Sequence, residues 1–118
     1  MALGPDLPPF YTDDETLAAD IARHAAAAND PLWRMPLWQP YMAMMEGKIS
    51  DLNNASESPF AGSITAALFL KRFAEGAKAW AHFDVFGWVP SPKPGRPRGG
   101  EAQGMRALFN LIAERYAT

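Results

Sequence analysis

The chain has no cysteine, which removes a disulfide framework, a thiolate metal site and a thiol nucleophile together. It also lacks a dominant charge. Eleven basic residues against thirteen acidic ones leave a net charge of -2, too weak a field to hold nucleic acid or an anionic membrane. No apolar run approaches the roughly 18 to 20 residues of a membrane span. The opening MALGPDLPPFYTDDE has no basic region followed by an apolar core, so no secretory signal is read there and a cytoplasmic location is expected. Phosphate loops, serine-nucleophile motifs and metal-ligand clusters are absent as well. The most telling shortage is of β-strand.

What is present reads as globular: 118 residues, 48% apolar and 20% charged, near the usual size of one domain. Thr12, Asp13, Asp14 and Glu15 form a T-x-x-E capping box, which predicts a helix from about Asp13. Leu17, Ala18, Ile21, Ala22, Ala25 and Ala28 mark its apolar face, and Asn29, Asp30 and Pro31 its stop. A short strand within Leu7 to Tyr11 would enter this cap. Pro36 and Pro40 cut the next segment into pieces, with a two-turn helix expected from Pro40 to Glu46 and Gly47 ending it. Ile49 to Asn54 is a weak strand candidate.

The stretch SPFAGSITAALFLKRF, Ser58 to Phe73, predicts a helix with Ser58 at its N-cap and Pro59 at its first position. It is apolar or small nearly all round and needs cover on every side. KAWAHFDVFGWV, Lys78 to Val89, alternates as a strand, with Trp80, His82 and Asp84 on one face and Ala81, Phe83 and Val85 on the other. Pro90 to Gly100 is a loop, excluded from helix and inner strand by four prolines and three glycines. Glu101 to Tyr116 closes the chain as a helix with a stripe of Met105, Leu108, Phe109, Ile112 and Tyr116. One convincing strand cannot make a sheet. The missing strands are expected from another part of a longer chain or from other subunits.

Candidate sites are few. His82 and Asp84, two apart on the strand, would suit a metal pair or a base with its orienting carboxylate, but no third ligand is apparent and bonding to loop backbone is the commoner reading. His24, among alanines, reads as a surface or boundary residue. Lys93, Arg96 and Arg98 could hold a carboxylate or phosphate, although loop charges are usually solvated. PSPKPGRPR has the look of a polyproline ligand; a rigid loop trimming a pocket is the commoner role. Trp33, Trp38, Tyr41, Met42, Met44 and Met45 could line a groove, with core or subunit contact the commoner use.

Four ordered blocks are more specific: WRMPLW at Trp33–Trp38, SDLNNAS at Ser50–Ser56, FAGSITAALFLKRF at Phe60–Phe73 and WAHFDVFGW at Trp80–Trp88. In order and spacing they resemble the leucyl aminopeptidase family, the M17 metallopeptidases, over nearly the whole chain. The resemblance implies an α/β fold, with this chain a helix-rich, strand-poor fragment of an α/β/α sandwich: residues 1–118 as the C-terminal portion of one catalytic domain. It implies release of N-terminal amino acids from peptides by two zinc or manganese ions. The ligands of those ions, with an assisting lysine and arginine, belong to family motifs that precede the segment matching Ala2. This chain alone is therefore expected to bind no metal and to be inactive. The resemblance further implies a homo-oligomer, typically a hexamer; a stable fragment is expected to self-associate because removing most of a sheet exposes apolar helix faces.

It also places Phe86 and Val89 beside the pocket for the substrate's first side chain. Where many members carry alanine, this chain has Phe86, which would reshape that pocket and disturb a simple leucine preference. The lead into the last helix departs too, with Gly-Gly-Glu-Ala-Gln-Gly in place of Gly-Ala-Thr-Gly. The alternative from another class is a non-enzymatic interaction or scaffold module working through loop 90–100.

Overall fold

A computed structural model describes residues 2–43 and 60–117. The expected strand at Ile49 to Asn54, the end of the Pro40 helix, Met44, Met45, Ser58 and Pro59 lie outside the described residues. Among the described residues ten short elements follow one another. In chain order the strands are β1 (Pro9–Tyr11), β2 (Trp33–Arg34), β3 (His82–Phe83), β4 (Trp88–Val89) and β5 (Gly99–Gly100). The helices are α1 (Glu15–Ala27), α2 (Gly62–Lys71) and α3 (Met105–Arg115), with 3-10 turns at Gln39–Tyr41 and Arg72–Ala74.

The sheet has the order β2-β1-β3, β1 lying parallel to β2 and antiparallel to β3. Phe10 pairs with Phe83 and Tyr11 with His82, so the pleat sends neighbouring residues to opposite faces. On one face Phe10 stacks on Phe83 at 5.9 Å between ring centroids and joins Leu17, Ile21 and Ala25 of α1 and Ala107 and Leu111 of α3. On the other, the Tyr11 hydroxyl reaches Ser63 of α2. The result is helices, sheet, helix: a three-layer arrangement around three very short strands. β4 and β5 form a separate antiparallel pair.

Several expectations are corrected. The capping box does not form, because its side chains have other partners. Thr12 donates to the Trp80 carbonyl at 2.6 Å, and the Glu15 carboxylate is gripped by Arg34 at 2.7 and 2.9 Å. Asp14 caps α1 instead, accepting from the Leu17 amide at 3.0 Å. Ala22 is exposed, and His24 is buried, its side chain facing α3. Helix α2 begins at Gly62 with Ala61 as its N-cap, later than Ser58 suggested. Only His82–Phe83 and Trp88–Val89 of the Lys78–Val89 strand are extended in sheets, and Gly99–Gly100 at the end of the loop pairs with β4. Strand β2 was not foreseen. A two-residue strand carries no alternation to read.

The terminal helix is present, but its core side differs. Ala107 and Leu111 are buried, while Met105, Phe109, Ile112 and Tyr116 are exposed, Phe109 by 70% and Tyr116 by 78%. Helix α2 likewise buries Thr65, Ala67 and Leu68, and leaves Phe69 exposed edge-on to the 76% exposed Phe73 of the 3-10 turn that follows. The Cα radius of gyration, 16.0 Å, exceeds the ~13.5 Å of a compact domain of this length. Both outer helix layers thus keep apolar faces uncovered.

The join between α1 and α3 is polar at its rim. Arg23 bridges to Glu114 at 2.7 Å and Arg115 to Asp20 at 3.0 Å. His24 Nε2 lies 3.2 Å from Glu114 Oε2 without forming an aligned hydrogen bond. Hydrogen bonding to Arg23 holds the Glu114 carboxyl below its usual range, and Arg115, then Arg23, do the same for Asp20. Whatever these exposed pairs contribute is present above the ordinary carboxylate range and lost as pH falls through the lowered values.

Candidate functional site

A cleft of about 440 Å³ opens where the chain's distant segments meet. Its walls come from the Ala2–Pro5 turn, β1, Met35, the start of α2 and the Asp84–Phe86 segment that follows β3. The lining is mainly apolar, with Tyr11, Ser63 and Asp84 supplying its polar groups. That volume and character fit a small-molecule site.

Local structure fixes each wall. The Asp84 amide donates to the Pro9 carbonyl at 3.1 Å, continuing the β1–β3 ladder by one bond and setting where Val85 and Phe86 emerge. Gly87 then turns at φ 71, a left-handed conformation that favours glycine, and leaves the Phe86 ring 58% exposed on the cleft wall. The opposite rim is tied to this one by Gln103. Its carboxamide accepts from the Gly87 amide at 3.1 Å and donates to the Pro5 carbonyl at 2.8 Å. Sequence reading missed Gln103 as a clamp, although it stands in the lead to the last helix where this chain departs from the family pattern. Val89, the other expected pocket residue, is 2% exposed within β4.

Tyr11 is fully buried, and its hydroxyl shares a short hydrogen bond with Ser63. Burial pushes the phenol above its ordinary value; the Ser63 bond opposes this and the Asp84 charge reinforces it. The unfolded chain therefore ionises first, near pH 10. Stability is full below that pH and falls as pH rises through the folded-state value. Tyr11→Phe should abolish this alkaline loss relative to the parent in urea melts between pH 9 and 11. A variant with the parent's slope would show that Tyr11 does not titrate in this way.

The remaining candidates are scattered. His82 is half-buried, its ring stacked 12° from parallel with Trp80 and tilted against Tyr11. Asp84 sits past the strand end and is exposed. Among the described residues no group of three or more His, Cys, Asp or Glu could hold a metal ion. Lys93 pairs with Asp6 and Arg96 with Glu101, while the backbone turns back on itself through paired Lys93–Arg96 bonds of 2.8 Å. The loop is thus a hairpin with anchored charges, not an extended polyproline segment; Arg98 is exposed beyond it. Trp33 and Trp38 are more than half exposed, outside the core.

The fold and its parts have clear relatives. The family model for the cytosol aminopeptidase family, catalytic domain, matches residues 1–109. A probable cytosol aminopeptidase of Synechococcus sp. (strain WH7803) is 40% identical over all of this chain and 24% of its own length. One from Prochlorococcus marinus (strain MIT 9313) is 43% identical over 95% of the chain and 23% of its own length. Among solved structures, the cytosol aminopeptidase from Coxiella burnetii superposes with a TM-score of 0.88 at 44% identity, over 98% of this chain and 25% of that one. The bottromycin maturation enzyme BotP gives 0.83 at 27% identity, over 97% and 26%. The chain spans about a quarter of the length of the relatives it matches. Sequence and three-dimensional likeness run together through nearly all of it, and on that ground the chain belongs to the cytosol aminopeptidase family.

Proposed function

We propose that residues 1–118 are part of an aminopeptidase catalytic domain that releases N-terminal amino acids from peptides, and that this part supplies a wall of the pocket for the first side chain. The observation that carries the reading is the apolar cleft with Phe86 on its wall, in a chain similar to cytosol aminopeptidases along its whole length. Tyr11, Ser63 and the Gln103 clamp hold the walls in register. Val89, buried in β4 and paired with Gly99, stands three residues beyond Phe86 on the same segment.

The described residues do not fit a metal pair. In this reading the ligands for two divalent ions, zinc or manganese, come from outside the chain, and so do the residues that assist attack. The chain alone is inactive. A homo-oligomer, a hexamer in the family's manner, and a cytoplasmic setting belong to the same proposal. The uncovered faces of α2 and α3 support incorporation into something larger.

The test is an NMR titration of the isolated chain with L-leucinamide. Amide shifts are expected to concentrate at Ser63, Asp84, Val85 and Phe86 with weak, roughly millimolar affinity, since a small ligand held by one wall gains little against the cost of association. Shifts confined to other surfaces would remove the cleft from the substrate path.

A further inference from the structure

Gln103 stands behind the cleft rather than on its lining, half-buried beside a separate polar cavity of about 210 Å³ that Asp6, Lys93, Arg96 and Glu101 border. From there it reaches both walls. The Gly87 amide can only donate and the Pro5 carbonyl only accept, so the carboxamide has one orientation, Oε1 toward Gly87 and Nε2 toward Pro5. One planar group thus spans the two sides. Its own base is fixed, because the neighbouring Gly104 amide is held by Asp30 at 3.0 Å and the Glu101 amide donates to the Gly87 carbonyl at 3.0 Å. The supports of the two walls are unequal. On the Phe86 side, Gly87 is tied through both its amide and its carbonyl, and Trp88 and Val89 pair with Gly100 and Gly99. On the other side the Ala2–Pro5 turn, with Gly4 at φ 74, meets the 93–103 segment through the Gln103 bond to Pro5 and the exposed Asp6–Lys93 pair, a weak tether.

We propose that Gln103 is a positioning residue for the substrate's first side chain: without touching it, Gln103 sets the gap between the Ala2–Pro5 turn and the Val85–Phe86 wall, and so favours a branched chain that meets both walls over a methyl group. This rests on the reading of the cleft as the first-residue pocket. A wall held to within about half an ångström keeps contacts that a drifting wall loses. The preference is therefore carried by the Nε2 arm, which holds the less supported side.

The experiment titrates L-leucinamide and L-alaninamide into the 118-residue chain, Gln103→Glu and Gln103→Met by NMR, with urea midpoints measured alongside. Gln103→Glu keeps the acceptor for Gly87 and sets a carboxylate oxygen against the Pro5 carbonyl, while Gln103→Met keeps the length and loses both bonds. The parent is expected to bind leucinamide about three- to ten-fold more tightly than alaninamide, from the extra apolar carbons in contact. In both variants that ratio should fall to about two-fold or less with alaninamide affinity unchanged, and in Gln103→Glu leucinamide should still shift Val85 and Phe86 but no longer Leu3 and Gly4. An unchanged ratio in Gln103→Glu, or equal affinities in the parent with shifts still in the cleft, would overturn the positioning role and leave the pocket reading standing. Both ligands weakening together with a fallen urea midpoint would overturn it too, making Gln103 a stability residue only. If neither ligand moves the cleft amides of the parent, the pocket reading itself fails and the positioning role falls with it.

Discussion

Phe10→Ala should destabilise the chain by about 3–5 kcal/mol, lowering the urea midpoint by roughly 2 M or more. Phe10 is 1% exposed in the middle strand of the three-stranded sheet, flanked by β2 on one side and β3 on the other. Its ring is stacked on Phe83 and packed among Leu17, Ile21 and Leu111, so α1, α3 and the sheet all meet on it. Truncation loses the transfer energy of the ring and leaves a void that two helices and a sheet cannot close at once. Domains hold only some 5–15 kcal/mol in total, and one with uncovered helix faces has little to spare. Loss of near-ultraviolet dichroism is therefore expected in Phe10→Ala, and Phe10→Leu should retain most of the parent's stability. A Phe10→Ala midpoint shift equivalent to less than about 1 kcal/mol would mean that the core is not centred on this ring.

The second large effect is at Asp30, 4% exposed in the turn after α1. Its two carboxylate oxygens accept from the Gly104 amide at 3.0 Å and the Ala107 amide at 3.1 Å. One residue from the end of α1 thus caps the start of α3, satisfying two of the free amides there and placing a negative charge at the positive end of the helix dipole. Gly104 turns at φ 82 to present its amide, a left-handed conformation suited to glycine. Asp30→Ala leaves two buried donors unsatisfied, at a cost of about 2–4 kcal/mol, whereas Asp30→Asn keeps one acceptor and should lose roughly half as much. The loss should be local first: hydrogen exchange of residues 105–115 should accelerate before that of α1. Uniform acceleration across both helices, or unchanged α3 protection, would contradict the capping role.

These two residues show what the sequence made legible. The existence of α1 could be read from Leu17, Ala18, Ile21 and Ala25, all of which are buried. Its cap could not, since Thr12 and Glu15 were taken by Trp80 and Arg34, partners 68 and 19 residues away. Asp30 read as a helix stop; its bond to residues more than 70 positions on leaves no local trace. Helix α3 was legible as a helix, but the periodicity of Met105, Phe109, Ile112 and Tyr116 identifies an apolar face without saying what covers it. In this chain the core takes the smaller Ala107 and Leu111 face. The shortage of strand holds among the described residues, where the larger sheet has three very short strands, and with the exposed stripe it supports the proposal that this chain is part of a larger domain. Of the site, Phe86 came from family resemblance, while Gln103 and the Tyr11–Ser63 pair emerge only when segments from both ends of the chain are folded together.

We propose that this chain contributes a substrate-facing wall to an aminopeptidase and none of its metal chemistry. The direct measurement is turnover of a leucyl amide substrate by the purified 118-residue chain in saturating manganese or zinc, beside the same chain without metal. Release no faster than the uncatalysed background is expected in both. Metal-dependent turnover that co-purifies with the chain would contradict it, because a complete catalytic set would then lie within these residues.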